Sequence, residues 1–380
     1  MKNIILLGIT SLLTDVSSEM IYPLLGLYLA SLNTPFSIIG IIEGIAESVA
    51  NLLKIFSGSF SDKFKKRKPF AIFGYSFSTI GKMFLYVSKT WFMVLLARVV
   101  DRLGKGVRTA PRDALISESI DDVKKGKVFG LHRAMDTFGA MLGVIVVYIV
   151  FYFYPEEVPF KKVFLLSLIP AFLAVVVLFF VKEPKKKEFS SKRAGHKLFS
   201  FRYIPEVAKK YIFISAIFSL GNSSNQFLLL RAKHLGVSYL NIILLYLIYN
   251  ISYTIFSYPA GILGDKIGKK TTIILGYLIY SFVYFGFFAI KKPDLIWILF
   301  VVYGIYIAIV EGQEKAFLAE ISPPEYKATV LGTHSTVGGF MLFFASTIAG
   351  FLWDSIGVGA PFLFGSFTGL IALFLMIILL

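Results

Sequence analysis

The feature that most constrains this chain is an alternation repeated along its whole length. Apolar runs of about 20 residues, enough for a helix to cross about 30 Å of hydrocarbon, are separated by short clusters of charge. Twelve runs are predicted, over residues 4–31, 36–60, 69–89, 91–116, 128–153, 160–181, 211–230, 239–264, 271–290, 295–319, 327–353 and 359–380. Only 16% of the 380 residues are charged, against roughly a quarter in soluble domains. The expected fold class is therefore an all-α membrane protein, and the 39 Phe and 20 Tyr suit lipid-facing and interfacial surfaces. The first run begins like a secretory signal. It continues through Pro23 to Leu29, contains acids and lacks a small-residue cleavage site, so it is read as the first span. With no Cys, disulfides and thiolate metal sites are excluded and redox compartment is not legible.

A formal charge of +16 raises a nucleic-acid reading, and the positions of the charges answer it. With both termini placed in the cytoplasm, the predicted inner loops hold 23 of the 39 Lys and Arg and the outer loops hold 7. That asymmetry orients a membrane protein and meets anionic lipid. The expected partners are the lipid bilayer and a small-molecule substrate, with no nucleic acid.

Residues 182–210 form the longest polar stretch and read as a basic cytoplasmic linker between an N-terminal unit, 1–181, and a C-terminal unit, 211–380. The two units repeat. Gly58-Ser-Phe-Ser-Asp62-Lys63-Phe-Lys-Lys66-Arg67 closes the second run, and Gly261-Ile-Leu-Gly-Asp265-Lys266-Ile-Gly268-Lys269-Lys270 closes the eighth. Ala114-Leu-Ile-Ser-Glu118 precedes Ala316-Phe-Leu-Ala-Glu320 by 202 residues, and Gly130-Leu-His132 precedes Gly332-Thr-His334 by the same offset. A duplicated six-helix unit accounts for these matches.

The paired G-x-x-x-D-K-x-x-K-R and G-x-x-x-D-K-x-G-K-K loops resemble the signature loop of the major facilitator superfamily. Lys65 stands where that pattern has Gly. The segment from Arg98 to Ala114 is loosely similar to a fourth-helix motif of proton-coupled efflux members. The resemblance implies twelve helices in two pseudo-symmetric lobes with both termini cytoplasmic, and a monomer in the inner (plasma) membrane. It implies alternating access, with the first, fourth, seventh and tenth helices lining a central cavity. It also implies a cytoplasmic gate. In the loops that begin at Gly58 and Gly261, the bases Lys63 and Arg67, and Lys266 and Lys270, would meet acids at the ends of the fourth and tenth helices, Glu118 with Asp113 and Glu320. Asp62 and Asp265 would meet the positive N-terminal ends of helices in the opposite lobe.

Ionisable groups within spans cost about 2.5–3.5 kcal/mol each at mid-helix, so each needs a partner, water or a purpose. The first half carries Asp15, Glu19, Glu43, Glu47, Asp101, Asp113 and Asp136, with Lys54, Lys82, Arg98, Arg102, Lys105, Arg108, Arg112 and Arg133. The second half carries only Glu311, Glu314 and Lys315 in comparable places. On the fourth span Arg98, Arg102, Lys105, Arg108 and Arg112 step by four, three, three and four, which makes one basic stripe. Two readings stay open. In one, acids and bases form ion-pair networks that lock the first lobe. In the other, Arg98, Arg102, Lys105 and Arg108 bind an anionic substrate group, because the guanidinium fork suits carboxylate or phosphate. Proton coupling needs a carboxylate that desolvation or a like charge brings into the working range. Glu19, Asp15, Glu43 and Glu47 are its candidates. In the second half Asn222, Asn225, Gln226, Glu311 and Glu314 are candidate substrate contacts. His132 and His334 read as structural hydrogen-bonding groups, and Tyr246, Tyr249 and Tyr253 as packing.

The expected function is a secondary transporter that exchanges protons for a small organic, anionic or amphipathic solute and works in export. The alternative is a lipid or lysolipid flippase on the same fold. The chain lacks H-E-x-x-H, G-x-S-x-G and a Gly-rich phosphate loop before a Lys, so no enzymatic activity, metal or cofactor is expected.

Overall fold

The computed structural model describes residues 2–64, 66–119, 125–154, 158–183, 204–323 and 326–380. Among these there is no strand. The helices are α1 (Lys2–Ser31), α2 (Phe36–Phe64), α3 (Lys68–Val87), α4 (Trp91–Glu118), α5 (Lys125–Phe153), α6 (Phe160–Phe179), α7 (Glu206–Gly221), α8 (Gln226–His234), α9 (Tyr239–Ile267), α10 (Lys269–Ala289), α11 (Ile296–Ile321), α12 (Lys327–Ser355) and α13 (Ala360–Leu379). Ten are long and apolar enough to cross a membrane. The two exceptions among the twelve spans have separate causes. The charges of α4 take it out of the apolar class, and the seventh span is split into α7 and α8.

That split corrects the predicted single run over 211–230. The segment Gly221-Asn-Ser-Ser-Asn225 interrupts the helix, because Ser and Asn side chains compete with the helical backbone for its hydrogen bonds. Ser224 Oγ accepts from Gln226 N at 3.4 Å, and Ser224 N donates to Ser346 Oγ on α12 at 3.1 Å. The span also begins earlier, since Glu206 within the expected linker is already helical. Residues 184–203 of that linker lie outside the described set.

The chain divides into two units, Met1–Thr34 with Ile45–Lys192, and Pro35–Gly44 with Arg193–Leu380. In the first, α3 packs on α4 and α6, and α1 packs on α5 and α6. In the second, α10 packs on α11 and α13, and α7 packs on α12 and α13. The same pairing within each unit is the duplication read from sequence, now in three dimensions. The α3–α4 crossing is close because it is built on glycines. A Cβ on Gly104 would lie 2.5 Å from Gly74 O and Ser78 N, and one on Gly81 would lie 2.5 Å from Asp101 N.

Cations counted as outer-loop charges serve as helix caps. Arg231 is buried on α8 and donates to Phe287 O at 3.0 Å and Ile290 O at 2.7 Å, closing the carboxyl end of α10. Lys161 donates to Tyr86 O at 2.7 Å and to Ser88 O at the end of α3. Glu183 does the converse, accepting from Arg67 N at 2.6 Å and Lys68 N at 2.9 Å at the amino end of α3.

Candidate functional site

The charged centre of the first unit is α4. Its chain enters from Thr90, whose hydroxyl accepts from Met93 N, and the three-and-four spacing of its bases turns them toward α2 and α3. Arg98 and Arg102 are buried and face Glu47 on α2, with their Nη2 atoms 4.0 and 3.0 Å from Glu47 Oε1. Asp101 Oδ2 lies 3.8 Å from Arg98 Nη1 and 4.0 Å from Arg102 Nε. Two acids stand against two bases in this network, and the Nε atoms of Arg98 and Arg102 have no hydrogen-bond partner among the described residues. Further along, Arg108 is buried with its guanidinium 4.5 Å from the Tyr75 ring centre, and its Nη1 has no hydrogen-bond partner among the described residues. Arg112 turns to its neighbour Asp113 at 2.9 Å and donates to Ser11 Oγ on α1 at 3.0 Å. Lys105 differs from the rest. It is exposed, no carboxylate lies within 4.0 Å of it among the described residues, and its charged neighbours are Arg102, Glu47, Arg108 and Asp15.

The proton-coupling candidates separate in the same way. Glu47 is held by two arginines. Glu19 has an interaction partner of its own. Glu43 is buried on the part of α2 that belongs to the second unit, where it accepts from Ser224 Oγ at 3.2 Å. Asp15 forms no ion pair within 4.0 Å among the described residues, and the charges around it are Asp136, Arg108, Arg112 and Lys105. Lys82, buried on α3, donates to Ser17 Oγ at 2.6 Å and Ser18 Oγ at 3.2 Å. Neither serine is distinctive in the sequence, because a Ser in a span is as often a helix-packing residue as a polar contact.

In the second unit the polar centre is built from tyrosines. Asn222 and Asn225 flank the α7–α8 break. Asn222 Nδ2 donates to Tyr306 OH at 3.2 Å, Asn225 Nδ2 donates to Tyr249 OH at 3.3 Å, and Tyr303 OH donates to Asn225 Oδ1 at 2.7 Å. Tyr253 OH donates to Glu311 Oε2 at 2.9 Å and Tyr277 OH to Glu314 Oε1 at 3.1 Å. Lys315 sits 3.5 Å from Glu311. Gln226 is buried at the start of α8. Tyr249 and Tyr253 are thus polar contacts as well as packing. The available signal was spacing: Tyr277, Tyr280 and Tyr284, and Tyr303 and Tyr306, recur at three and four residues and share helix faces.

Of the gate residues, Arg67 bonds Glu118 through Nε at 3.1 Å and Nη2 at 3.0 Å. In the second unit Glu320 takes Lys269, at 2.6 Å, in place of the expected Lys266 or Lys270. Asp113 is occupied by Arg112. Asp265 and Lys266 are exposed at the end of α9, just after Gly261. Gly268, opposite Lys65 in the repeat, has φ +89°, a left-handed turn that suits glycine. Gly58, Asp62 and Lys63 lie on the last turns of α2 with their side chains outside the described set, as is Lys65 altogether.

Comparison with known proteins places this geometry in context. The family model described as Major Facilitator Superfamily matches residues 7–216 and 211–380. An uncharacterised MFS-type transporter of Methanocaldococcus jannaschii is 40% identical over 98% of this chain and 95% of its own length. Multidrug resistance protein MdtH of Blochmanniella pennsylvanica is 24% identical over 36% of this chain and 34% of its own. Among solved structures, a variant of the nucleoside transporter NupG superposes with a TM-score of 0.81 at 14% identity, covering 99% of both chains.

Proposed function

The chain belongs to the major facilitator superfamily and is a multi-pass membrane transporter, and from that premise we propose that it couples protons to the movement of a small organic anion, or of an amphipathic solute with an anionic group. The observation that carries the reading is the state of the α4 stripe. Arg98 and Arg102 are paired with Glu47 and Asp101, while neither Lys105, which is exposed, nor Arg108 has a carboxylate within 4.0 Å among the described residues. An anionic group finds its counter-charge at Lys105 and Arg108. Asp15 is the proton carrier in this reading, because its neighbours include the same cations. Protonating Asp15 releases them to an anion, so proton and anion bind together and cross by alternating access in the plasma membrane. The six-helix lobes are 1–181 and, from the start of α7 at Glu206, 206–380, joined by the basic linker 182–205, with both termini cytoplasmic. The pairs Arg67–Glu118 and Lys269–Glu320 serve the gate.

A second reading, export by proton exchange, is favoured by the partial likeness to MdtH. One experiment separates the two. Purified protein is screened by thermal stability against organic anions, lysolipids and cationic drugs, since a ligand of the folded state raises apparent stability. The binder found is then followed in liposomes under an imposed pH gradient. Accumulation in the direction of proton flow supports co-binding, and accumulation against it supports exchange. Asp15→Asn should abolish gradient-driven accumulation while exchange at equal pH survives. Accumulation retained by a protein with both Asp15 and Glu19 amidated overturns the carrier assignment. Movement of a lipid analogue without a gradient would favour the flippase reading.

A further inference from the structure

Each unit holds a histidine that the transport reading leaves unused, and the two are related by the repeat. His132 on α5 and His334 on α12 stand 202 residues apart, and each is matched to a serine on the first helix of its own unit. Ser11 is the tenth residue of α1 and Ser215 the tenth of α7. In the second unit Ser215 Oγ lies 2.9 Å from His334 Nε2, and Glu314 Oε2 lies 3.9 Å from the same nitrogen. Tyr211 stacks on the imidazole, with ring centroids 5.9 Å apart and an interplanar angle of 23°. In the first unit His132 Nδ1 lies 3.4 Å from Asp136 Oδ2, and Asp136 faces Ser11 on α1 and Arg112 on α4. Both His132 Nε2 and Asp136 Oδ1 are buried without a hydrogen-bond partner among the described residues.

We propose that His132 with Asp136, and His334 with Glu314, are two proton-binding sites, one in each unit, built on repeat-related histidines and each tying the first span of its unit to the fifth. The chemistry is clearest at His334. A neutral ring with its proton on Nδ1 accepts at Nε2 from the Ser215 hydroxyl. Once protonated, Nε2 becomes a donor, Ser215 must turn its hydrogen elsewhere, and Glu314 gains a cation in reach. Proton uptake therefore reverses the bond between α7 and α12, on the half-helix that ends at the Asn222 break.

Other titratable groups among the described residues face these sites. His334 meets Tyr211 from α7, Tyr277 beyond Glu314 from α10, and Glu314 from α11. Around Asp136 and His132 stand Asp15 from α1 and Arg112, with its partner Asp113, from α4. Imidazole is the side chain whose charge ordinarily changes between about pH 5 and pH 8.

The role of these sites in transport rests on the proton-coupled reading, so the test contains no solute. Protein with isotope-labelled histidine in lipid nanodiscs is titrated by NMR over about pH 5 to pH 8, its four histidines assigned by single Gln substitutions. His132 and His334 are expected to change protonation form within that window. The His334 curve should be displaced in Ser215→Ala and in Glu314→Gln, and the His132 curve in Asp136→Asn, while His234 stays fixed. Ser215→Ala removes one hydroxyl and keeps the test open if a carboxylate variant does not fold. A His334 that holds one form throughout, or that titrates identically in native and Ser215→Ala proteins, overturns the proposal. Silent histidines leave coupling through Asp15 intact. Absent gradient-driven transport overturns the coupling and leaves the titration as it was.

Discussion

Five bases on one stripe of α4 have three different fates. Arg98 and Arg102 share Glu47 and Asp101, Arg112 takes Asp113 and Ser11, and Lys105 and Arg108 have no carboxylate within 4.0 Å among the described residues. Removing one member of a buried ion-pair network strands its partners. Glu47→Gln should therefore lower stability by about 3 kcal/mol, read as a shift in the denaturation midpoint in detergent. Lys105→Gln should change stability by less than about 0.5 kcal/mol and weaken an anionic ligand by about 1 kcal/mol, the scale of an ion pair open to water, read by calorimetry. Equal binding of a cationic ligand by native and Lys105→Gln proteins would instead direct attention to Glu311 and Glu314.

Among the helices, the α3–α4 crossing shows how sequence detail positions charge. Gly74, Gly81 and Gly104 let the two backbones approach until a single methyl group has no room. This places Ser78 Oγ 3.0 Å from Asp101 O, next to the arginine network. Gly104→Ala should separate the helices, cost about 1–3 kcal/mol of strain, and reduce transport by displacing Arg102. Thermal unfolding and solute flux measured on the same preparation check both effects. The α7–α8 break is an element of another kind. It frees backbone and side-chain polar groups at Asn222 and Asn225, a device common where a transporter helix meets its solute.

For the whole molecule, the testable property is orientation. The predicted inner loops carry most of the cations, and two of the outer ones are withdrawn into caps: Arg231 is buried against the end of α10 and Lys161 bonds the end of α3. The accessible asymmetry is thus stronger than a count of Lys and Arg suggests. Because the chain has no Cys, one introduced thiol is unique. In intact cells Lys291→Cys should react with a membrane-impermeant maleimide, and Lys2→Cys should react only after permeabilisation. The opposite pattern would invert the topology and the assignment of Arg67–Glu118 and Lys269–Glu320 to a cytoplasmic gate.

Span number, helical class, the duplicated unit and the family were legible in the chain itself, because each follows from local quantities. Apolar length sets a crossing, cation bias sets a side, and fixed offsets such as His132 to His334 record a duplication. Partner choice was not legible. Spacing put five cations on one face of α4, but which of them stay available depends on acids brought in by other helices, Glu47 from α2 above all. Tyr249 and Tyr303 became polar contacts only when the break after Gly221 brought Asn225 to them. Ion pairing and hydrogen bonding in a low-dielectric interior act over a few ångströms. Only tertiary packing brings residues dozens of positions apart within that range, so the fold was written along the chain and the site was decided across it.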